Sequence, residues 1–245
     1  MSKRSDGRAP DQIRDIQIEL DYLKYAEGSC LITAGNTKVI CAATFEKRVP
    51  PFLVGSGQGW VTAEYNLLPR STHERTIREV TTGRVKGRNQ EIQRFLGRSL
   101  RAVCDLYALG ETQFIIDCDV LQADGGTRTT ALTGGYCALA SAIKKLLDKK
   151  VLAKNPIIEN VAATSVGIVE NEIFLDLAYD EDSKADTDMN VVLTESGRIV
   201  EIQATAERIP FTLDEYLKMF DLAKRAIASI IQKQKASCLG QPSKV

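Results

Sequence analysis

Strand-like stretches and stretches of helical periodicity alternate along this chain. Over residues 29–45, Ser29-Cys30-Leu31-Ile32-Thr33 and Lys38-Val39-Ile40-Cys41-Ala42-Ala43-Thr44 are rich in β-formers and flank Gly35-Asn36. That pair suits a tight turn, so the segment predicts a hairpin. A similar pattern returns at 161–177, where Val161 to Val169 and Ile173-Phe174-Leu175-Asp176-Leu177 flank Glu170-Asn171-Glu172, and again at 189–207 around Ser196-Gly197. Phe114 to Leu121 reads as a further strand. Between these runs the apolar spacing becomes helical. Ile92, Phe95, Leu96, Leu100 and Val103 predict a helix over about 89–107, and Leu132, Tyr136, Leu139, Ile143 and Leu147 one over about 128–148. Thr212-Leu213-Asp214-Glu215 forms a capping box that starts a last helix near 213, before Tyr216, Met219, Phe220, Ala223 and Ile227. Residues 235–245 carry no pattern and are expected to form a flexible tail behind a single domain over 1–234. Strands followed by helices, twice over and with no Pro/Gly/Ser linker, predict an α+β fold of two similar halves sharing one core.

Composition narrows the function classes. At 245 residues, 44% hydrophobic and 26% charged, the chain is an ordinary globular protein with no apolar run long enough to span a membrane. Its start, Met1-Ser2-Lys3-Arg4-Ser5-Asp6, lacks an apolar signal core. Six scattered cysteines (30, 41, 104, 118, 137 and 238) without CxxC spacing predict buried free thiols and a cytoplasmic setting. Net charge is zero, with 32 basic and 32 acidic residues, which excludes a protein that coats nucleic acid by global charge. A local basic patch remains. Arg70, Arg75, Arg78, Arg84, Lys86, Arg88, Arg94, Arg98 and Arg101 outnumber Glu74, Glu79 and Glu91 over residues 70–101, enough to attract phosphates locally.

Two clusters carry candidate chemistry. Asp124-Gly125-Gly126-Thr127-Arg128 lies between a predicted strand and a predicted helix. Glycines there let the backbone approach an anion, the helix start supplies N–H groups, Thr127 a hydroxyl, and Arg128 a bidentate fork. The alternative is a tight turn whose arginine pairs with a surface carboxylate; Arg88, at a second predicted helix start, favours the anion site. Residues 179–188 hold Asp180, Glu181, Asp182, Asp186 and Asp188. Hard oxygen ligands without histidine suit Mg2+ or Mn2+, and a protonated carboxyl among them would suit a general acid; a solvated acidic loop is the plainer alternative. No GxxxxGK[ST] is present, which disfavours a P-loop nucleotidase. The only histidine, His73, lies in a polar segment and reads as a surface residue, so Ser–His and Cys–His triads are excluded.

The chain resembles the RNase PH family of phosphate-dependent 3′→5′ exoribonucleases. The resemblance runs from Arg4 to about Gln232 and rests on Ser5-Asp6-Gly7-Arg8, on Gly57-Gln58-Gly59-Trp60-Val61-Thr62-Ala63-Glu64-Tyr65, and on Leu68-Pro69-Arg70-Ser71-Thr72 with Arg75 and Arg78. Gly87-Arg88 with Glu91-Ile92-Gln93-Arg94, the run from Asp117 to Arg128, Glu181-Asp182-Ser183 and Asp188-Met189-Asn190 extend it. It implies a single domain of the ribosomal protein S5 domain 2-like type. The activity implied is that of a tRNA nucleotidyltransferase trimming tRNA 3′ ends with inorganic phosphate. Arg88, Gly126, Thr127 and Arg128 would bind the phosphate, Asp182 and Asp188 would form the catalytic, metal-associated pair, and Arg70, Arg75 and Arg78 would contact tRNA. A homohexamer, a trimer of dimers, is the implied assembly. One departure stands out: where the family usually has Gln-Gly-Thr, this chain has Gln203-Ala204-Thr205, which puts in doubt any special backbone angle there, and Arg208 adds a charge outside the pattern. A non-catalytic ring subunit would have lost the arginines or aspartates, and all are present. A catalytic exosome subunit dependent on a different partner chain is the remaining alternative.

Overall fold

The turn at Gly35-Asn36 joins β2 (Gly28–Ala34) to β3 (Thr37–Glu46), with Gly35 in the left-handed region at φ 56. In the computed structural model, which describes residues 4–78, 81, 83 and 87–239, this hairpin sits inside a five-stranded sheet. The other strands are β1 (Ile16–Leu20), β4 (Trp60–Leu67) and β5 (Gln113–Gln122), in the order β1-β2-β3-β5-β4. Only β4 and β5 run parallel. The two later hairpins make a four-stranded antiparallel sheet, β7-β6-β8-β9, from β6 (Val161–Val169), β7 (Glu172–Leu175), β8 (Thr187–Thr194) and β9 (Ile199–Ala206).

Helix α1 (Gly87–Arg101) lays Ile92, Phe95, Leu96 and Leu100 on β4. After the short α2 (Leu106–Leu109) and β5 comes α3 (Thr127–Asp148), buried along most of its length and packed against β2, β3 and β6. Helix α5 (Leu213–Leu239) covers β6 and β1 with Met219, Ala223, Ile227 and Ile231. Val161, Ala163 and Val192 of the second sheet join the same buried cluster as Leu132 and Leu139 of α3 and Ile32 and Ile116 of the first. Each such aliphatic side chain removed from water contributes about 1.5–3 kcal/mol, so α3 binds the halves into one core.

Four expectations differ from the structure. The helix expected over 89–107 ends at Arg101, because Asp105 takes an extended conformation and caps α2 by accepting N–H bonds from Tyr107 and Ala108. The strand expected through Leu177 stops at Leu175; Asp176 sits at φ 53 and turns the chain into α4 (Tyr179–Asp182), so the acidic run is partly a helical turn. The tail expected over 235–245 is helical as far as Leu239, while residues 240–245 lie outside the described residues. Gln234 anchors that extension: fully buried, its amide donates to the Thr133 and Val161 carbonyls, a polar anchor that apolar periodicity does not register. Finally, β1 and β4 were not foreseen as strands. Glu79, Arg84 and Lys86 of the basic patch also fall outside the described residues. All six cysteines are unpaired, five of them buried.

Candidate active site

The phosphate-type turn and the acidic run meet through two glycines. Gly125 (φ 75) and Gly126 (φ 61) carry the chain from β5 into α3, with Gly126 as the helix cap. A Cβ on Gly125 would lie 2.5 Å from the Leu177 carbonyl oxygen and 2.7 Å from the Ala178 carbonyl carbon. Only glycine lets this turn lie backbone-to-backbone against the segment that enters α4. The turn is braced from the first half: Asp124 N–H donates to Thr37 Oγ1 at 3.0 Å, Thr37 Oγ1 donates to the Gly125 carbonyl at 2.7 Å, and Arg14 Nη1 donates to the Asp124 carbonyl at 2.6 Å.

The first turn of α3 then presents N–H groups that have no intrahelical acceptor, at the positive end of its dipole. Thr127 accepts a hydrogen bond from the Tyr65 hydroxyl at 2.8 Å. Burial raises the Tyr65 phenol above its ordinary value, so it keeps its proton and remains the donor. Thr127 is thereby left with its own proton to give to an anion. Arg128 Nη1 donates to Gln203 Oε1 at 2.6 Å and lies 3.3 Å from Glu91 Oε1. Arg128 therefore does pair with a surface carboxylate, but that carboxylate is half exposed and the side-chain amide makes the shorter bond. Arg88, in the first turn of α1, is exposed, and its positive charge acts on Asp182 and Tyr65.

The acidic turn has its own support. Glu181 accepts two bonds from Arg4, Nε to Oε1 and Nη2 to Oε2, both at 2.7 Å, and its Oε2 also accepts the Ala178 N–H at 2.9 Å. Asp176 accepts from Arg14 through the backbone N–H (2.8 Å), Nε (3.0 Å) and Nη2 (2.7 Å). Burial pushes the Asp176 carboxyl up, but Arg14 outweighs it and holds the group below its usual range. Glu181 belongs to the acidic run read from the sequence, but Arg4, Arg14 and Asp176 carry no local signal of a role; each is one charge among many until the fold buries it beside its partner. Glu181 is thus a support for the turn, while Asp182 and Asp188 face the cleft.

Burial raises the Asp182 carboxyl, against the opposing charges of Arg88 and Arg128. Asp188, at the start of β8, is pushed up to about 6 by burial and then by the charge of Asp182, although Asn190 Nδ2 donates to it at 3.1 Å. Its carboxyl holds a proton more tightly folded than unfolded, so its contribution to stability is full below pH 3.8 and is lost as pH rises through about 6. Asp188→Asn is accordingly expected to stabilise the metal-free protein by about 3 kcal/mol at neutral pH, at 1.36 kcal/mol per tenfold change in proton affinity, and to leave it unchanged below pH 3.8. Urea unfolding of both proteins in EDTA at the two pH values checks this.

Two close oxygen donors that repel each other suit a hard cation. Among the described residues no third His, Cys, Asp or Glu completes a protein cage. An ion held by this pair would have to take its remaining ligands from water and substrate phosphates.

One cleft of about 1370 Å³ gathers most of the site residues named from the sequence. Arg75, Arg78, Arg88, Gly126, Thr127, Arg128, Asp182 and Asp188 border it, together with His73 and Tyr179. Arg70 does not; its Nη1 donates to the His73 carbonyl at 2.8 Å. The basic stripe on α1 also has other duties. Arg98 pairs with Glu201 at 2.8 Å, and Arg101 lies 4.1 Å over the Trp60 ring while donating to the Val61 carbonyl at 2.7 Å. The patch facing the cleft is therefore smaller than the sequence implied. Ala204 lies in regular register opposite Met189, with no positive φ, and packs on the core of the second half, which removes the doubt it raised.

Residues 12–145 match domain 1 of the RNase PH 3′ exoribonuclease family and residues 159–226 match domain 2. The chain is 57% identical over 232 residues to a ribonuclease PH of Moorella thermoacetica, covering 95% of this chain and 93% of that protein. It is 54% identical over 233 residues to the Bacillus subtilis ribonuclease PH, covering 95% of each. Among solved structures, one of the Archaeoglobus fulgidus exosome with RNA bound to the active site superposes with a TM-score of 0.79 at 20% identity, over 94% of this chain and 92% of that one. Rice Rrp46 superposes with a TM-score of 0.77 at 19% identity, over 96% and 100% respectively. At those identities the two structures bear on the fold alone.

Proposed function

The chain belongs to the RNase PH 3′ exoribonuclease family, and on that footing we propose that it trims the 3′ ends of tRNA precursors by phosphorolysis. Inorganic phosphate attacks the last phosphodiester, a new P–O bond forms as the bond to the 3′-oxygen breaks, and a nucleoside 5′-diphosphate leaves. The shortened RNA keeps a 3′-hydroxyl, so the reverse reaction adds a nucleotide from a diphosphate. The observation that carries this reading is the meeting of Arg88, Thr127 and Arg128 with Asp182 and Asp188 in one cleft. Arg88, Arg128, the Thr127 hydroxyl and the N–H groups beside Gly126 would hold the attacking phosphate, and no protein nucleophile is needed. Asp182 and Asp188 would stand beside the departing oxygen, where a carboxyl still protonated near pH 6 can supply its proton. As the alternative to that acid role, Mg2+ or Mn2+ held by the same pair would keep both carboxylates ionised and supply positive charge for the developing oxyanion. Arg75 and Arg78 would guide the RNA backbone, with Arg70 shaping their loop.

A homohexamer, a trimer of dimers, is part of the proposal. Phe52 (70%), Val54 (70%) and Tyr107 (68%) are large apolar side chains left exposed that subunit contacts would cover, and a ring would gather several copies of a modest basic patch around one RNA. Unpaired cysteines fit a reducing cytoplasm.

Chromatography of the nucleotide released from a tRNA with extra 3′ residues tests the reaction. Nucleoside diphosphate, formed only with phosphate present, is expected; monophosphate would overturn the proposal. Arg88→Ala or Arg128→Ala should raise the phosphate KM by about ten- to hundredfold, the range for a lost charge-assisted bond.

A further inference from the structure

The only histidine, His73, is exposed as its sequence context implies, but it is not idle. His73 lines the cleft that holds Asp182 and Arg128, and its ring lies 5.6 Å from that of Tyr179, tilted by 46°. The rings come from opposite halves of the chain, His73 from the loop after β4 and Tyr179 from the first position of α4, one turn before Asp182. Both are held from behind. Arg70 donates to the His73 carbonyl, and the Thr76 N–H closes the same loop on the Pro69 carbonyl at 2.8 Å. The Tyr179 carbonyl accepts the Ser183 N–H at 2.9 Å. Tyr179 is nevertheless 48% exposed.

An anchored, half-exposed tyrosine backed by an imidazole adds little to the core. Aromatic faces of this kind are where unpaired RNA bases stack. The neighbouring charges sort the strand: Arg75 and Arg78 on the same cleft attract phosphates, while Asp180, exposed beside Tyr179, repels them and leaves the ring to an uncharged base. We propose that His73 and Tyr179 form a stacking platform for a nucleobase near the 3′ end of the RNA, an inference that rests on the exoribonuclease reading of this cleft. Every base has a π-face, so the platform grips the strand without choosing its sequence, as removal of varied trailing nucleotides requires.

The test uses the full-length protein and fluorescent RNA oligonucleotides, with binding read by anisotropy in EDTA without phosphate and turnover read separately. Tyr179→Ala should weaken RNA binding and raise the RNA KM roughly five- to hundredfold while leaving the phosphate KM at the wild-type value. Tyr179→Phe, which keeps the ring, should stay within about twofold of wild type, and His73→Ala should show a smaller loss of the same kind. In oligonucleotides made abasic at successive positions from the 3′ end, one position should weaken binding to the wild type and not to Tyr179→Ala. The platform is overturned if Tyr179→Ala binds every oligonucleotide as the wild type does. It is equally overturned if phosphate KM rises in step with RNA KM, which marks a disturbed Asp182 turn. A wild type that binds RNA but releases no diphosphate would defeat the phosphorolysis reading, and the binding measurements would still decide the platform.

Discussion

Asp182→Asn is expected to lower turnover by about 10²–10⁴-fold, because it withdraws one of the two carboxylates proposed to hold the metal ion, whose charge stabilisation is worth several kcal/mol, and to do so at every phosphate concentration. Asparagine keeps the size of the side chain and leaves its surroundings intact, since the turn is held by Glu181, Arg4 and Ala178. Phosphate binding should respond in the opposite direction. Asp182 places a negative charge beside the two arginines proposed to hold phosphate, as their effect on its carboxyl shows. Removing that charge relieves repulsion of the incoming anion, so the variant should bind phosphate at least as tightly as the wild type. Single-turnover kinetics and the phosphate-induced rise in unfolding temperature separate the two effects. Weaker phosphate binding in the variant would mean that Asp182 supports the turn and has no part in the chemistry.

The second large effect lies away from the reacting groups. Asp176→Asn should destabilise the protein by about 3–5 kcal/mol, because it leaves the Arg14 guanidinium buried without its counter-charge. Asparagine is the right replacement, since Asp176 occupies the left-handed region at φ 53, which asparagine tolerates. The wild-type pair contributes its full stability above pH 3.8 and loses it as pH falls through the depressed folded value, so the difference between the proteins should shrink in acid. Arg14 also holds the Asp124 carbonyl, so phosphate affinity should fall with stability. The double variant Arg14→Met/Asp176→Asn removes the orphaned charge. It should recover part of the stability and none of the phosphate affinity, which urea midpoints and phosphate KM values can resolve. Full recovery of both would show that the pair stabilises the core without shaping the phosphate turn.

Which parts of this were legible in the chain follows from the range of the forces involved. The hairpin at Gly35-Asn36, the strand from Phe114, the helix after Arg128 and the capping box at Thr212 each depend on residues within a few positions of one another, and all appear in the structure. Strand β1 was missed because its five residues gain their meaning only by pairing with β2. The end of α1 was misplaced because the cap at Asp105 competed with an apolar pattern that ran on to Val103. Candidate site residues were nameable from local chemistry and from resemblance: glycines and an arginine at a helix start, carboxylates without histidine. Their convergence was not nameable. It depends on Gly125 meeting Leu177 and Ala178 across about fifty positions, and on Arg4 and Arg14 reaching Glu181 and Asp176 across more than a hundred and fifty. His73 shows the same limit, since a lone histidine in a polar loop acquires a partner only when a turn from the other half of the chain is folded against it. Short-range backbone preferences are written into neighbouring residues, whereas burial and charge pairing are properties of the folded surroundings; the elements therefore belong to the chain, and the cleft to the fold.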